Sequence, residues 1–142
     1  MDNLSTQLWS KRKSALQSGH IVILDQLSRC KMGRRTPAAL EQYQALEQVI
    51  ISHLSVQSPD FYRALFNHLK TERLQIKVLE YLEFDLKALR IRLLEFMEMP
   101  VKTFAELSND IVIRIKIEKE YLLPLLEILI NQTALKQTTY EN

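Results

Sequence analysis

The 142-residue chain contains very little glycine, proline or cysteine, and these shortages narrow its fold class. Only 2 Gly and 4 Pro are present, which argues against an all-β protein because tight turns between strands need these residues. The single cysteine, Cys30, excludes an internal disulfide and any zinc site built from several thiolates. We expect its thiol to be buried or inert, because no histidine lies at a neighbouring helical position.

Long apolar runs are also lacking. No stretch reaches the roughly 18 apolar residues of a membrane span, because Glu127 interrupts the richest one. The N-terminus has no apolar signal segment, so we expect a cytoplasmic protein with no membrane contact. An apolar content of 46% and a charged content of 25% are typical of a globular protein, and we predict a single domain over residues 1–142.

The net charge of +2 is unevenly distributed. Residues 1–35 contain seven Lys and Arg against two acids, whereas the rest of the chain is net acidic. This asymmetry indicates either an acidic partner or solvated helix faces. No basic motif with interleaved aromatics supports direct nucleic-acid binding. With no Gly-rich phosphate loop and no assignable Ser-His-acid set, we expect neither an enzyme nor a small-molecule substrate.

Apolar residues at helical spacing dominate the sequence. They recur every three or four residues, which is the period of a helix packed along one face. Four long segments carry such stripes, namely residues 4–30, 37–55, 72–98 and 103–132. Because short loops join them, we predict an all-α protein with the up-down-up-down topology of a four-helix bundle.

Capping signals predict where the helices begin. Thr36 and Ser58 each precede a proline, which is the pattern of an N-cap followed by proline at the first helical position. The second of these signals predicts that the second helix is kinked or split near Pro59, and the sequence leaves both alternatives open. Thr103 with Glu106 three residues later has the form of a capping box.

Further prolines and a glycine predict interruptions. Pro100 is expected to stop the third helix, and Pro124 is expected to bend the fourth because it removes one backbone donor. Gly19 costs about 1 kcal/mol of helix stability relative to alanine, which would permit a break or kink in the first helix. The mostly polar tail, residues 133–142, is expected to be frayed.

A few polar residues interrupt the apolar stripes. His20, His53, Asp85 and Glu118 supply one from each predicted helix, and histidines and carboxylates that converge inside a bundle are typical of a metal site. Each histidine has a structural alternative as a hydrogen-bonded core residue, and Asp85 could instead lie at the edge of its stripe and reach water. For Glu118 this alternative is an i, i+4 ion pair with Arg114. A buried carboxylate without a partner is strongly destabilising, so Glu118 requires one interpretation or the other.

Three stretches resemble the hemerythrin-like (HHE) family of di-iron four-helix bundles. They are GHIVILDQL (19–27), HLSVQSPDFY (53–62) and RIKIEKEYLLP (114–124). The family has a helical His-x3-Glu in its second and fourth helices, whereas here Gln57 replaces a bridging Glu and Arg114 replaces a His. The reduced metal site that this resemblance implies consists of His20, His53 and Glu118, and Asp85 of the third helix is a further candidate ligand.

Two of these stretches also resemble the Rsd/AlgQ family, which consists of helical bundles that bind the primary sigma factor of bacterial RNA polymerase. HLSVQSPDFYRAL (53–65) is similar to that family's Y-(L/V)-S-A-G-H-F-x-(V/I)-Y, and RIKIE (114–118) is similar to its R-F-x-L-E-D. The guanidinium that a metal site would not accommodate is expected in this family. The matched residues are Leu54, Ser55, Tyr62, Arg114 and Glu118.

The first hypothesis for function is therefore a non-enzymatic, cofactor-free regulator that binds a protein, by resemblance the sigma factor. Arg114 and Glu118 would form a polar pair in the core, and the outer surface would bind the partner. We expect the partner-binding residues where the chain bends and carries two aromatics, at Ser52, Ser55, Phe61 and Tyr62. The alternatives are a metal- or gas-sensing bundle and a helical adaptor between proteins.

Overall fold

The computed structural model describes residues 2–69 and 73–141 of the chain, and these residues are almost entirely helical. Six α-helices and one π-helical turn follow one another, with no strand in the described part of the chain. The helices are α1 (Asp2–Gly33), α2 (Ala39–Ser55), α3 (Pro59–His68), α4 (Arg73–Glu98), α5 (Pro100–Ile117) and α6 (Leu123–Glu141). The π-turn, Glu118–Leu122, joins α5 to α6 without a loop.

These elements form the four columns of the predicted all-α four-helix bundle. The first column is α1, the second is α2 followed by α3, and the third is α4. The fourth is the continuous run from α5 through the π-turn to α6. The first column packs against α2 and α6, while α4 packs against α5. The apolar stripes meet along the bundle axis, so Leu16, Leu46, Leu82 and Leu107 are fully buried. No helix in the described ranges is both long and apolar enough to cross a lipid bilayer.

The second column is split at the predicted position. The Ser58 side chain accepts a hydrogen bond from the Phe61 backbone N–H at 3.2 Å, and Pro59 occupies the first turn of α3. Proline suits that position because a first-turn N–H has no intrahelical acceptor. The Ser58-Pro59 signal is therefore confirmed as an N-cap that starts a new helix.

The corresponding prediction for Thr36 and Pro37 is wrong. The Thr36 hydroxyl donates to the Gly33 carbonyl at 2.7 Å, so it closes the end of α1 and does not cap α2. The N-cap of α2 is Ala38, which makes no side-chain cap hydrogen bond. The first helix also continues to Gly33, three residues beyond its predicted end.

The predicted capping box at Thr103 is also wrong. The fourth column begins at Pro100, so Thr103 lies inside its first turn and donates to the Met99 carbonyl at 2.8 Å. The Glu106 carboxylate accepts a hydrogen bond from Arg92 of α4 at 2.8 Å and does not reach back along its own helix. Proline at the first helical position begins α5 in place of the predicted box.

The π-turn lies directly before Pro124, where a bend was predicted. The Leu123 N–H bonds to the Glu118 carbonyl, which is the five-residue spacing of a π-helix. Pro124 has no N–H, and its ring crowds the carbonyl four residues earlier, so a wider turn relieves both effects. The backbone remains helical through Glu141, into the segment expected to be frayed, and residue 142 lies outside the described residues.

Aromatic packing closes the end of the bundle near α3. Trp9 of α1 is buried, with its ring centroid 6.2 Å from that of Phe61 and 5.7 Å from that of His68. The guanidinium of Arg12 lies over the Phe61 ring, 5.5 Å from its centroid. Phe61 is thereby enclosed by α1, so it is part of the core and not of the surface.

Candidate functional site: a buried polar cluster centred on Glu118

Glu118, the first residue of the π-turn, lies at the centre of a buried polar cluster. Its Oε1 accepts hydrogen bonds from His20 Nε2 and His53 Nε2, each at 2.7 Å. Its Oε2 accepts from Gln57 Nε2 at 2.9 Å and from Arg114 Nε at 2.7 Å. All five side chains are at most 2% exposed. Four donors from three columns therefore satisfy one carboxylate that no solvent reaches.

Arg114 extends the cluster toward α4 and α3. Its Nη1 donates to the Leu82 carbonyl at 2.5 Å and to Asp85 Oδ2 at 3.1 Å. Its Nη2 donates to Gln57 Oε1 and to the Tyr62 hydroxyl, the latter at 3.0 Å. The planar guanidinium thus donates hydrogen bonds to α4, to α3 and to the segment between α2 and α3. A flexible lysine could not make these bonds with the same geometry. Every column of the bundle contributes to the cluster.

The charges in the cluster compensate one another. Burial alone raises the pKa of Glu118, but hydrogen bonds from His20 and His53 and the charge of Arg114 lower it more, so the pKa lies well below its ordinary value. Burial raises the pKa of Tyr62, which keeps its hydroxyl protonated and able to donate to Gln57 at 2.8 Å. Glu118 is therefore an anion that is balanced by the Arg114 cation inside the core.

Gly19 makes room for one of the imidazoles. A Cβ added at Gly19 would lie 2.1 Å from His53 Nδ1, far inside van der Waals contact. The α1 helix does not break there, because it runs from Asp2 to Gly33 as one helix. The missing side chain at Gly19 instead lets the His53 ring approach the α1 backbone and reach Glu118 from α2.

The metal-site hypothesis can be tested against this geometry. Ligand atoms of His20, His53 and Glu118 all lie within 4.8 Å of one another, which is the convergence that a metal site requires. However, the Arg114 cation already binds the other oxygen of the carboxylate, and it would oppose a metal cation. Asp85, the fourth candidate, contacts Arg114 and is not part of this group.

The outer nitrogens of the two imidazoles also oppose a metal. His20 Nδ1 and His53 Nδ1 are buried and have no hydrogen-bond partner among the described residues. A metal-bound imidazole normally donates its other N–H to a carboxylate or carbonyl, which fixes the ring. In the hydrogen-bonded cluster each imidazole carries its proton on Nε2 and donates it to Glu118, which leaves Nδ1 as an unpaired acceptor. If Nε2 bound a metal instead, the proton would lie on Nδ1, and a buried N–H donor would have no partner. The residues therefore fit a hydrogen-bonded cluster and do not fit a metal centre.

This conclusion predicts the metal content of the protein. Protein produced with added iron or zinc and then desalted should retain only trace metal, far below one ion per chain, by elemental analysis. His53→Ala should contain the same trace amount. Close to one ion per chain in the wild type, lost in His53→Ala, would contradict the prediction and restore the metal hypothesis.

The proposed partner-binding residues divide into two groups. Ser52 and Ser55 are exposed on the outer side of α2, where a partner could reach them. Phe61 and Tyr62 are 3% and 0% exposed, so the expectation of two accessible aromatics is wrong. The reason is the orientation of α3: its first turn points both rings inward, one against Trp9 and the other against Arg114.

Sequence reasoning missed the roles of Gln57 and Gly19. Gln57 has one signal that could have identified it, since it lies one helical turn after His53 and therefore on the same face. It acts as a bifunctional amide, donating to Glu118 while accepting from Arg114 and Tyr62. Gly19 carried no such signal, because its role depends on the distance between two columns.

Comparison with known proteins does not assign this cluster to a family. No family model, curated protein or solved structure matches the chain.

Proposed function

We propose that the protein is a non-enzymatic, cytoplasmic regulator that binds another protein through its surface, and that this partner is the sigma factor of RNA polymerase. The observation that supports the proposal is the contact between its two sigma-regulator-like motifs. Arg114 of RIKIE donates to the Tyr62 hydroxyl at 3.0 Å, although the two residues are 52 positions apart. Arg114 also pairs with Glu118 of its own motif at 2.7 Å. The residues that carry the resemblance therefore lie together in the fold.

The filled interior favours a surface function. Glu118 has four donors and the Arg114 guanidinium has several acceptors, so the cluster offers no free charged group for chemistry. A catalytic site would instead need a group whose proton or charge is available to a substrate. We therefore infer that the cluster holds the four columns in one arrangement and thereby fixes the shape of the outer surface.

The binding surface that we propose is the outer side of α2 before the bend. Ser52 and Ser55 are exposed there, and Ile51 beside them is 42% exposed. An exposed aliphatic side chain with small polar neighbours permits close approach of a partner helix at modest desolvation cost. Binding at this surface would occlude the parts of sigma that otherwise contact core polymerase or promoter DNA, as the resemblance implies.

Affinity capture with purified components tests this proposal. The wild-type protein should retain the primary sigma subunit and compete with core polymerase for it. The double variant Ser52→Arg/Ser55→Arg, which places two bulky cations on the surface, should weaken retention by at least about tenfold.

Ser28→Arg is the control for a bulky cation placed elsewhere on the bundle surface. Ser28 is an exposed serine of α1 near the level at which Gln26 contacts Gln42, several turns from Ser52 along the bundle. This variant should bind sigma like the wild type. Failure of the wild type to retain sigma or polymerase, or equal weakening by Ser28→Arg, would refute the proposal.

A further inference from the structure

An open cleft lies between the C-terminal end of α1 and the first half of α5. Its volume is about 630 Å³, which is within the range of small-molecule sites. Lys31 and Arg34 line it from α1 and the turn that follows, while Ser108 and Asn109 line it from α5. Phe104 and two smaller apolar residues complete the lining. The cleft therefore combines two cations and two neutral polar side chains with an apolar surface.

The positive charge of the cleft is not neutralised by the helices that form it. None of the residues that line it is acidic. Asp25 of α1 pairs with Arg29 at 2.9 Å. The two acids of α5, Glu106 and Asp110, both pair with Arg92 of α4, at 2.8 and 3.0 Å. Charge complementarity therefore favours an anion in the cleft.

Ser108 supplies a hydrogen-bond donor that the fold leaves unused. Its side chain is only 7% exposed, and its hydroxyl makes no hydrogen bond with any residue that the structure describes. A helical hydroxyl commonly bonds to the carbonyl three or four residues before it, as Thr103 does to Met99 at 2.8 Å. A buried polar group without a partner is costly, so an unpaired hydroxyl in the wall of a cleft indicates a ligand.

The helix dipole offers a structural explanation for the two cations. A positive charge at the C-terminal end of a helix complements the dipole, and Lys31 lies in the last turn of α1. The dipole does not explain why a buried hydroxyl of a different helix, in the same cleft, has no partner. A bound anion accounts for both observations.

We propose that this cleft binds a small molecule that carries a phosphomonoester group next to an apolar body. A phosphomonoester has a charge of about −1.5 to −2 at pH 7 and three acceptor oxygens. It would balance the two cations and accept hydrogen bonds from Ser108 and Asn109. A single carboxylate has one charge and two oxygens, so it would leave one cation unbalanced. The proposal does not rest on sigma binding, because the cleft lies on α1 and α5 and the Ser52 surface lies on α2.

Titration of the full chain with phenyl phosphate tests the proposal, with the backbone amides followed by NMR at constant ionic strength. Saturable shifts should centre on residues 31–34 and 104–112. Inorganic phosphate lacks the apolar body and benzoate lacks the second negative charge. Each should therefore bind at least about tenfold more weakly than phenyl phosphate.

Variants of the lining residues locate the binding site. Ser108→Ala should weaken phenyl phosphate binding about fivefold, because one hydrogen bond to a charged group is lost. Its thermal unfolding curve should stay that of the wild type, since the hydroxyl has no partner in the described part of the chain. The double variant Lys31→Gln/Arg34→Gln should weaken binding at least about tenfold.

Lys87→Gln/Arg90→Gln is the matched control. It removes the same two residue types at the same spacing from α4, where Glu80 and Glu83 line the same groove as the cations. This variant should bind phenyl phosphate like the wild type. No saturable binding by the wild type, equal weakening by the control, or a Ser108→Ala variant of wild-type affinity would overturn the proposal. Benzoate that binds as tightly as phenyl phosphate would overturn the assignment of a phosphomonoester.

Discussion

Replacing Arg114 with methionine is expected to lower the free energy of unfolding by about 3–5 kcal/mol, the cost of leaving one charge of a buried pair uncompensated. Arg114 and Glu118 are both fully buried and joined at 2.7 Å. Methionine has a similar shape, so little of the loss would come from an empty space. Chemical denaturation followed by circular dichroism measures the change.

The chain contains a matched control for this substitution. Asp25 and Arg29 form an ion pair with the same i, i+4 spacing at 2.9 Å, but their side chains are 61% and 63% exposed. Arg29→Met should therefore change stability by less than about 1 kcal/mol, because water screens the pair. Equal effects of Arg29→Met and Arg114→Met would contradict the role assigned to burial.

A second substitution shows whether the stranded charge causes the loss. Adding Glu118→Gln to Arg114→Met should recover part of the stability, because a neutral amide replaces the uncompensated carboxylate. The amide oxygen would still accept a hydrogen bond from His20 or His53 at Oε1. The two substitutions should therefore be strongly non-additive, as expected for residues in direct contact.

Replacing Gly19 with alanine is expected to destabilise the protein by about 1–3 kcal/mol, the usual cost of overpacking a core. The new Cβ would lie 2.1 Å from His53 Nδ1, so the imidazole would have to move away from Glu118. Alanine is a better helix former than glycine by about 1 kcal/mol, so helix propensity alone would make the variant more stable. A loss of stability would therefore show that the contact with His53 outweighs helix propensity. Thermal and chemical denaturation of the variant would measure the difference.

Gly33→Ala and a second background serve as controls for this result. A Cβ at Gly33 would meet Gln42 Cγ at 3.5 Å, which is ordinary contact, so that variant should be neutral or slightly stabilised. In a His53→Ala background the clash is gone, and Gly19→Ala should then also stabilise. A loss of stability in that background would show that the His53 contact is not the cause.

The sequence by itself determined the fold class and the segments that become helices. Period and length identified the four columns, and Ser58 with Pro59 predicted a kink or a split in the second one. The same kind of signal failed at Thr36 and Thr103, because a hydroxyl can bond to a carbonyl before it as well as to an N–H after it. Only the path of the chain decides which bond forms, as at Thr36, whose hydroxyl donates to Gly33.

The candidate site could likewise be predicted from the sequence only in part. The pair of Arg114 and Glu118 could be predicted, because residues four apart on one helix are neighbours whatever the rest of the chain does. The other donors to Glu118 come from His20, His53 and Gln57, which are 98, 65 and 61 residues away in sequence. Their meeting depends on how far apart the columns lie and how each helix is rotated about its axis.

The rotation of α3 was likewise decided only by the tertiary structure. Its sequence shows two adjacent aromatics at a bend, which is equally consistent with an exposed anchor and with core packing. The fold turns Phe61 toward Trp9 and Tyr62 toward Arg114, because a short helix is oriented by what it can bury and bond to. Local sequence determined which residues are helical, while contacts between distant segments determined which side chains remain available at the surface.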